Sequence, residues 1–241
     1  MYGKNSQSLL DPFCGSGTTL VEAINAGISA DGFDINPIAR LISKAKTNSY
    51  DMEKTSEYID SLIERIESIK LVKLDEAIEN SGFSKDMIET WFPKKTIQEI
   101  STYLQEIEKS RSIDPNLSIF AKASLSDCLR NVSIQRQNEW KNYRKAGWRD
   151  GDISAHYQPL MPLFKNRLIS NLSKVEKTQF MHNGNHARIF DTNSVHVSDF
   201  PSTPEEGYEL VVTSPPYGDS RTTVAYAEFS WLTNVWLGLD T

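Results

Sequence analysis

The chain has 241 residues, enough for one large domain or for one domain carrying a big insertion. Its 39% hydrophobic and 24% charged residues match an ordinary globular protein, and no apolar run approaches the ~18 residues that a membrane span needs. A net charge of −6 excludes a protein that is basic throughout, although a local basic patch can still engage phosphates. Two distant cysteines, Cys14 and Cys128, make neither a disulfide framework nor a zinc spacing. The opening MYGKNSQSLLDPF lacks an apolar signal core, so a cytoplasmic chain is expected.

In chain order, Ser8–Asp11 reads as a short strand that turns sharply at DPFCGSGTT. A helix is predicted over Thr18–Ala26, closed by Gly27. Ile28–Phe33 forms a second strand ending at Asp34, and Pro37 starts the next helix, where its missing N–H does no harm. Strand–turn–helix–strand–helix opens a doubly wound α/β domain. From about Thr47 to Phe180 the pattern becomes helical. Ile59, Leu62, Ile63 and Ile66 share one face, as do Ile97, Ile100, Leu104 and Ile107, and later Phe164, Leu168, Leu172 and Val175. These stripes read as core packing, as do Trp91 and Phe92. Strand signals return at Ala187–Phe190, ending at Asp191, and at Glu209–Thr213, whose Glu209–Val212 stretch has a buried-strand pattern. A last helix is predicted over Val224–Leu237. The expected organisation is a sheet domain over 1–46 and 181–241, with a helical insertion over 47–180.

Two turns carry the chemistry. In DPFCGSGTT, Gly15 and Gly17 permit a tight turn and a close ligand approach, and the following helix aims its free N–H groups and positive dipole end at that ligand. No lysine follows as a phosphate loop requires, and Leu20 stands where a dinucleotide fingerprint has its third glycine. Asp11 at the mouth would repel pyrophosphate and attract an ammonium or a sulfonium. Asp34, at the end of the second strand, is placed to accept ribose hydroxyls. Both favour S-adenosylmethionine over a nucleotide phosphate. In TSPPY, at a strand's carboxyl end, two prolines remove backbone donors and leave bare carbonyl acceptors beside an aromatic ring. That combination suits a planar base bearing an exocyclic NH₂; a proline turn with a core tyrosine is the plain alternative.

DPFCGSGTT resembles motif I of the amino-methylating DNA methyltransferases, and TSPPY resembles their motif IV. TSPPYGDSRTTVAY, WFPKK and LRNVSIQRQNEWKNYR are similar to the prokaryotic restriction–modification enzymes in particular. The resemblance implies a Rossmann-like, S-adenosylmethionine-dependent methyltransferase sheet, here partial, with a large helical insertion. It implies that Asp11, Phe13, Gly15, Gly17 and Thr18 line the methionine end of the cofactor, with Asp34 on the ribose and Asp191 toward the adenine amino group. Ser214, Pro215, Pro216 and Tyr217 would form the base pocket. In this family SPPY is associated with N4-methylcytosine more often than with N6-methyladenine. The family also has a cofactor-packing segment before motif I and further strands after the motif IV helix. A fragment, or one half of a split enzyme completed by a second chain, is therefore expected.

Between Arg130 and Arg149 lie six basic residues (Arg130, Arg136, Lys141, Arg144, Lys145 and Arg149) and one acidic, Glu139, a local charge of +5. With Trp140, Tyr143 and Trp148 interleaved, the stretch reads as a contact for double-stranded DNA phosphates, or as a solvated helix face with aromatics turned inward. His182 and His186 make no HExxH pattern, so no metal is expected. Cys14 reads as a small buried residue rather than the nucleophile of a C5-methylating enzyme. An RNA guanine-N2 methyltransferase and a non-catalytic cofactor- or DNA-binding module are the other readings.

Overall fold

The structure is a computed structural model that describes residues 6–137, 141–145, 153–179, 184–199, 207–215 and 226–239. The chain divides into two compact units, Met1–Asp51 with Ser173–Gly218, and Met52–Leu172 with Asp219–Thr241.

The first unit holds a sheet of four parallel strands among the described residues: β1 Ser8–Asp11, β2 Ser29–Phe33, β3 Ala187–Phe190 and β4 Leu210–Val211, in the order β3-β2-β1-β4. Helices α1 Thr18–Asn25 and α2 Pro37–Thr47 follow β1 and β2, as the opening pattern predicts. On α1 the buried Leu20, Ala23 and Ile24 sit at i, i+3 and i+4, so one stripe faces the sheet. Leu20 and Ala23 pack with Leu9, Ile28 and Ala30, and Ala187, Ile189 and Leu210 close the same cluster. Each leucine or isoleucine buried here contributes about 1.5–3 kcal/mol. The fit is tight at Gly32, where a Cβ would lie 2.7 Å from Leu20 Cδ1 and 2.9 Å from Cys14 Sγ. Register places Asp31 between Leu10 on β1 and Arg188 on β3, in the row opposite that cluster. Phe33 and Phe190 stack at 4.8 Å.

β4 departs from expectation. It spans two residues rather than Glu209–Thr213, and Val211 and Val212 are 56% and 40% exposed rather than buried. Among the described residues β4 is an edge: Val212 N donates to Leu10 O at 3.0 Å, but nothing pairs on its outer side. Beyond it, Pro215 has no donor to extend a ladder.

The second unit is helical: α3 Met52–Ser68, α4 Leu74–Asn80, α5 Lys85–Trp91, α6 Lys94–Glu108, α7 Pro115–Val132, the first part of α8 Leu160–Gln179, and α9 Tyr226–Trp236. The α3 stripe is buried as read from its spacing. On α6, Tyr103 takes the place expected for Leu104, which is only half-buried; Leu172 on α8 is likewise half-buried. Asp114 caps α7 by accepting from Asn116 N at 2.8 Å, ahead of Pro115. Glu99 on α6 accepts from Tyr157 Oη and Leu160 N, which fixes the start of α8. Residues 219–241 group with these helices, whereas the sequence reading put them with the sheet. Trp236 meets Phe92 edge-on at 5.7 Å, and Phe83 packs on Trp231 and Trp236, so aromatic burial draws α9 to the helical unit.

Candidate active site

The glycine turn is fastened to the end of β2. Cys14 N donates to Phe33 O at 3.0 Å, Gly15 N donates to Asp34 Oδ2 at 2.9 Å, and Gly17 N donates to Cys14 O at 2.8 Å. Asp34 Oδ1 accepts from Asn36 N at 2.7 Å. The carboxylate that the sequence suggested for a ribose thus also builds the loop, with lone pairs to spare. Gly15 and Gly17 have φ of +51° and +78°, in the left-handed region. A Cβ on Gly17 would strike Ser43 Oγ at 2.3 Å, while one on Gly15 would meet nothing within 4 Å. The open space above Gly15 is therefore a cradle that a side chain would fill. No side chain caps α1 at Gly17, so its first-turn N–H groups and dipole face the loop, beside the exposed Phe13 and Thr18.

Asp11 is buried at the end of β1. Its Oδ1 accepts from Phe13 N at 3.1 Å and its carboxylate also accepts from the Thr19 hydroxyl. Burial raises its pKa above the usual carboxylate value, and the nearby charge of Asp34 adds to the rise; the two hydrogen bonds oppose it.

Asp191, one residue past β3, is exposed and pairs with Arg40 Nη2 at 2.8 Å. Arg40 Nη1 also donates to Asp34 O at 3.0 Å, so one buried guanidinium ties the ends of β2 and β3 together. Sequence reasoning missed both Arg40 and Thr19. An arginine on the buried face of α2, between Ile38 and Leu41, was the available signal. On the other side of β1, the pairs Leu9↔Leu210 and Leu10↔Val211 bring β4 alongside, and Ser214 and Pro215 follow it, exposed. Pro216 and Tyr217 lie outside the described residues.

In the second unit, Arg130 lies in the last turn of α7, and the described residues 134–137 and 141–145 pair antiparallel as the two arms of a hairpin rather than as a helix face. Gln135 and Arg144 make an antiparallel bridge, Arg136 N donates to Tyr143 O, and Lys145 N donates to Ile134 O. Three of its cations serve the hairpin itself. Arg130 Nη2 donates to Arg136 O at 2.9 Å, Arg136 Nε to Arg144 O at 3.0 Å, and Lys145 Nζ to Ser133 O at 3.2 Å. The Arg130 guanidinium stacks over Phe229 at 4.4 Å, and Asn142 bonds Glu228, so the hairpin is anchored on α9. Lys141, Tyr143 and Arg144 are exposed. Trp140, Trp148 and Arg149 lie outside the described residues.

The chain is 34% identical over 239 residues to the Type II methyltransferase M.MvaI of Kocuria varians, across 97% of this chain and 51% of that protein. It is 24% identical over 224 residues to M.AvaI of Anabaena variabilis, covering 89% and 45%, and 21% identical over 231 residues to M.BsoBI of Geobacillus stearothermophilus, covering 87% and 43%; both are also Type II methyltransferases. Over nearly its whole length this chain is similar to Type II methyltransferases. It spans about half the length of the curated relatives it matches. No family model and no solved structure matches it.

Cys14 sits in the glycine turn as a buried free thiol, and Cys128 is buried in α7. Burial pushes both thiols up to about 12, with the neighbouring carboxylates adding to the rise. Neither is a thiolate at neutral pH, so neither is a ready nucleophile. The folded chain is expected to resist alkylation at pH 8 and to take two labels only after denaturation, as read by intact-mass spectrometry. Among the described residues no group of His, Cys, Asp or Glu could hold a metal ion, and no helix is long and apolar enough to cross a membrane. His182 lies outside the described residues.

Proposed function

We propose that this chain carries the donor and acceptor sites of a site-specific DNA methyltransferase, which moves a methyl group from S-adenosylmethionine to an exocyclic amino nitrogen of a flipped base, cytosine N4 in preference to adenine N6. The observation that carries the reading is adjacency: the glycine turn follows β1, the Ser-Pro corner follows β4, and these strands are hydrogen-bonded neighbours running the same way. Ligands of open parallel sheets collect at that carboxyl edge.

The residues present fit the donor. The cradle above Gly15 leaves room, the uncapped start of α1 suits the methionine carboxylate, and the buried carboxylate of Asp11 suits the positive end. Phe13 and Thr18 flank that cradle. Asp34 offers its remaining lone pairs to ribose hydroxyls, and Asp191, oriented by Arg40, accepts from the adenine amino group. When bound, S-adenosylmethionine supplies a methyl group on positively charged sulfur. The target base must leave its stack to reach the corner. There Tyr217 stacks on its ring. The Ser214 hydroxyl and the Pro215 carbonyl accept hydrogen bonds from the base amino group, while the prolines at 215 and 216 offer no competing donor. These acceptors aim the nitrogen lone pair and stabilise positive charge as it develops there. No covalent enzyme intermediate is needed.

The partner is duplex DNA, met in part by the exposed Lys141 and Arg144 of the hairpin, which Arg130, Arg136 and Lys145 hold in shape; Arg149 adds its charge to the same stretch of sequence. The exposed Val211 and Val212 support a sheet that continues past β4, supplied by more of a longer protein or by a second chain. Two buried free cysteines suit a reducing cytoplasm.

The test combines labelled-methyl transfer to duplex DNA and to tRNA with nucleoside mass spectrometry of the product. Methylated cytosine or adenine in DNA is expected. Preferential transfer to tRNA, or donor binding in calorimetry without transfer even when the rest of a relative's sheet is supplied, overturns the reading. Reversing Lys141 and Arg144 to glutamate should weaken DNA binding at least tenfold. It should also flatten the slope of log affinity against log salt by about 1.8 for two lost phosphate contacts.

A further inference from the structure

At the centre of the sheet row opposite the α1 cluster, Asp31 is buried and accepts three strong hydrogen bonds. Arg188 on β3 donates to it twice, Nε to Oδ1 at 2.7 Å and Nη2 to Oδ2 at 2.6 Å. Tyr208, just before β4, donates its hydroxyl to Oδ2 at 2.6 Å. Apolar residues of similar volume would hold a sheet as well as a buried ion pair does, so stability alone does not explain this trio.

Its geometry does. Asp31 and Arg188 each lie three residues before a candidate cofactor residue, Asp34 and Asp191, and Tyr208 lies six before Ser214. β4 itself is two residues long, with an open outer edge, and a slip of one residue would turn Ser214 and Pro215 to the opposite face. Glu209 N bonds Ser8 Oγ at 3.1 Å, and Gln7 N bonds the Glu209 carboxylate, so these contacts reach β1 only. Tyr208 reaches past β1 to β2.

We propose that the Asp31 carboxylate, gripped by Arg188 and Tyr208, is a positioning node that sets the register of β4 and thereby aligns Ser214 and Pro215 with the donor-binding ends of β2 and β3. The catalytic part of this assignment rests on the methyltransferase reading above; the register part does not.

The test is Tyr208→Phe in the full chain, with Arg188→Lys as a second variant that keeps the charge and loses the paired geometry. Hydrogen exchange at the Val212 amide, which bonds Leu10 O, should accelerate at least tenfold in Tyr208→Phe, while the amides of Ala30 and Gly32 keep their protection. The kcat for methyl transfer should fall at least tenfold, with KM for S-adenosylmethionine within twofold of wild type. Arg188→Lys should shift both readouts in the same direction. Unchanged exchange at β4, or uniform acceleration across β1, β2 and β4, overturns the node, as does an undiminished kcat. If the wild-type chain transfers no methyl group to any acceptor even when the rest of a relative's sheet is supplied, the methyltransferase reading fails, and the exchange pattern still decides the node.

Discussion

Gly15→Ala is expected to leave the chain folded and to remove donor binding, whereas Gly17→Ala destabilises the fold itself. Both glycines have positive φ, so either alanine costs about 1–2 kcal/mol of backbone strain. The difference lies in what the new methyl group meets. At Gly17 it strikes Ser43, whose Oγ, Cβ and Cα would lie 2.3, 2.9 and 3.0 Å away on a packed helix. Overpacking of that kind adds ~1–3 kcal/mol. The sum, about 3 kcal/mol, lowers Tm by roughly 10 °C in a chain of this size. At Gly15 the methyl group enters open space, so Tm should drop by only a few degrees, roughly what the backbone strain alone costs. That space is where the methionine end of the donor is proposed to sit, and calorimetry should show affinity reduced at least tenfold. If Gly15→Ala binds S-adenosylmethionine like wild type, the donor does not lie against this turn.

Asp11→Asn is the second large effect. Burial holds this carboxyl above its ordinary pKa of 3.8, so folding favours the protonated form. The associated stability is present at low pH and is lost as pH rises through the raised value. A positively charged donor reverses the preference, because it stabilises the carboxylate. Donor affinity should therefore strengthen as pH rises from the ordinary 3.8 through the raised value and level off above it, with a proton released on binding inside that window. Asparagine still accepts from Phe13 N but carries no charge. Asp11→Asn should be at least as stable as wild type at neutral pH, bind the donor about 100-fold more weakly, a loss of the ~2.7 kcal/mol expected of a charged hydrogen-bonded contact, and show no such pH dependence. Titration calorimetry across the window measures all three. Wild-type affinity that is flat with pH would mean that Asp11 does not meet the positive end of the donor.

Much of the sheet was legible in the sequence because its signals are local. The boundaries of β1 and β3 match the reading, β2 begins one residue later, and Pro37 starts α2 as expected. The glycine turn was legible too, since glycine spacing and a helix start are short-range features. What stayed hidden depends on partners chosen in three dimensions. Thr19 closes the DPFCGSGTT string and opens the helix, and nothing local says that its hydroxyl meets Asp11. Arg40 looked like any helical arginine until β3 brought Asp191 to it. Val211 and Val212 have the residue types of a buried strand, and only the strand order reveals that they stand at an edge. In the basic stretch, composition gave the charge but not the hairpin, because Arg130, Arg136 and Lys145 spend their donors on backbone carbonyls. The aromatic docking that groups α9 with the helices is likewise a long-range choice.

The ladder linking β3, β2 and β1 has a consequence for how such a protein can diversify. Every described residue proposed to handle the donor sits on those three strands, at their carboxyl ends, or in the turn and helix start that follow β1, and they brace one another without help from β4. The acceptor corner leans on that block through a two-residue seam. Substrate preference can therefore drift by remodelling the chain beyond the seam, while the reagent-handling block is inherited intact.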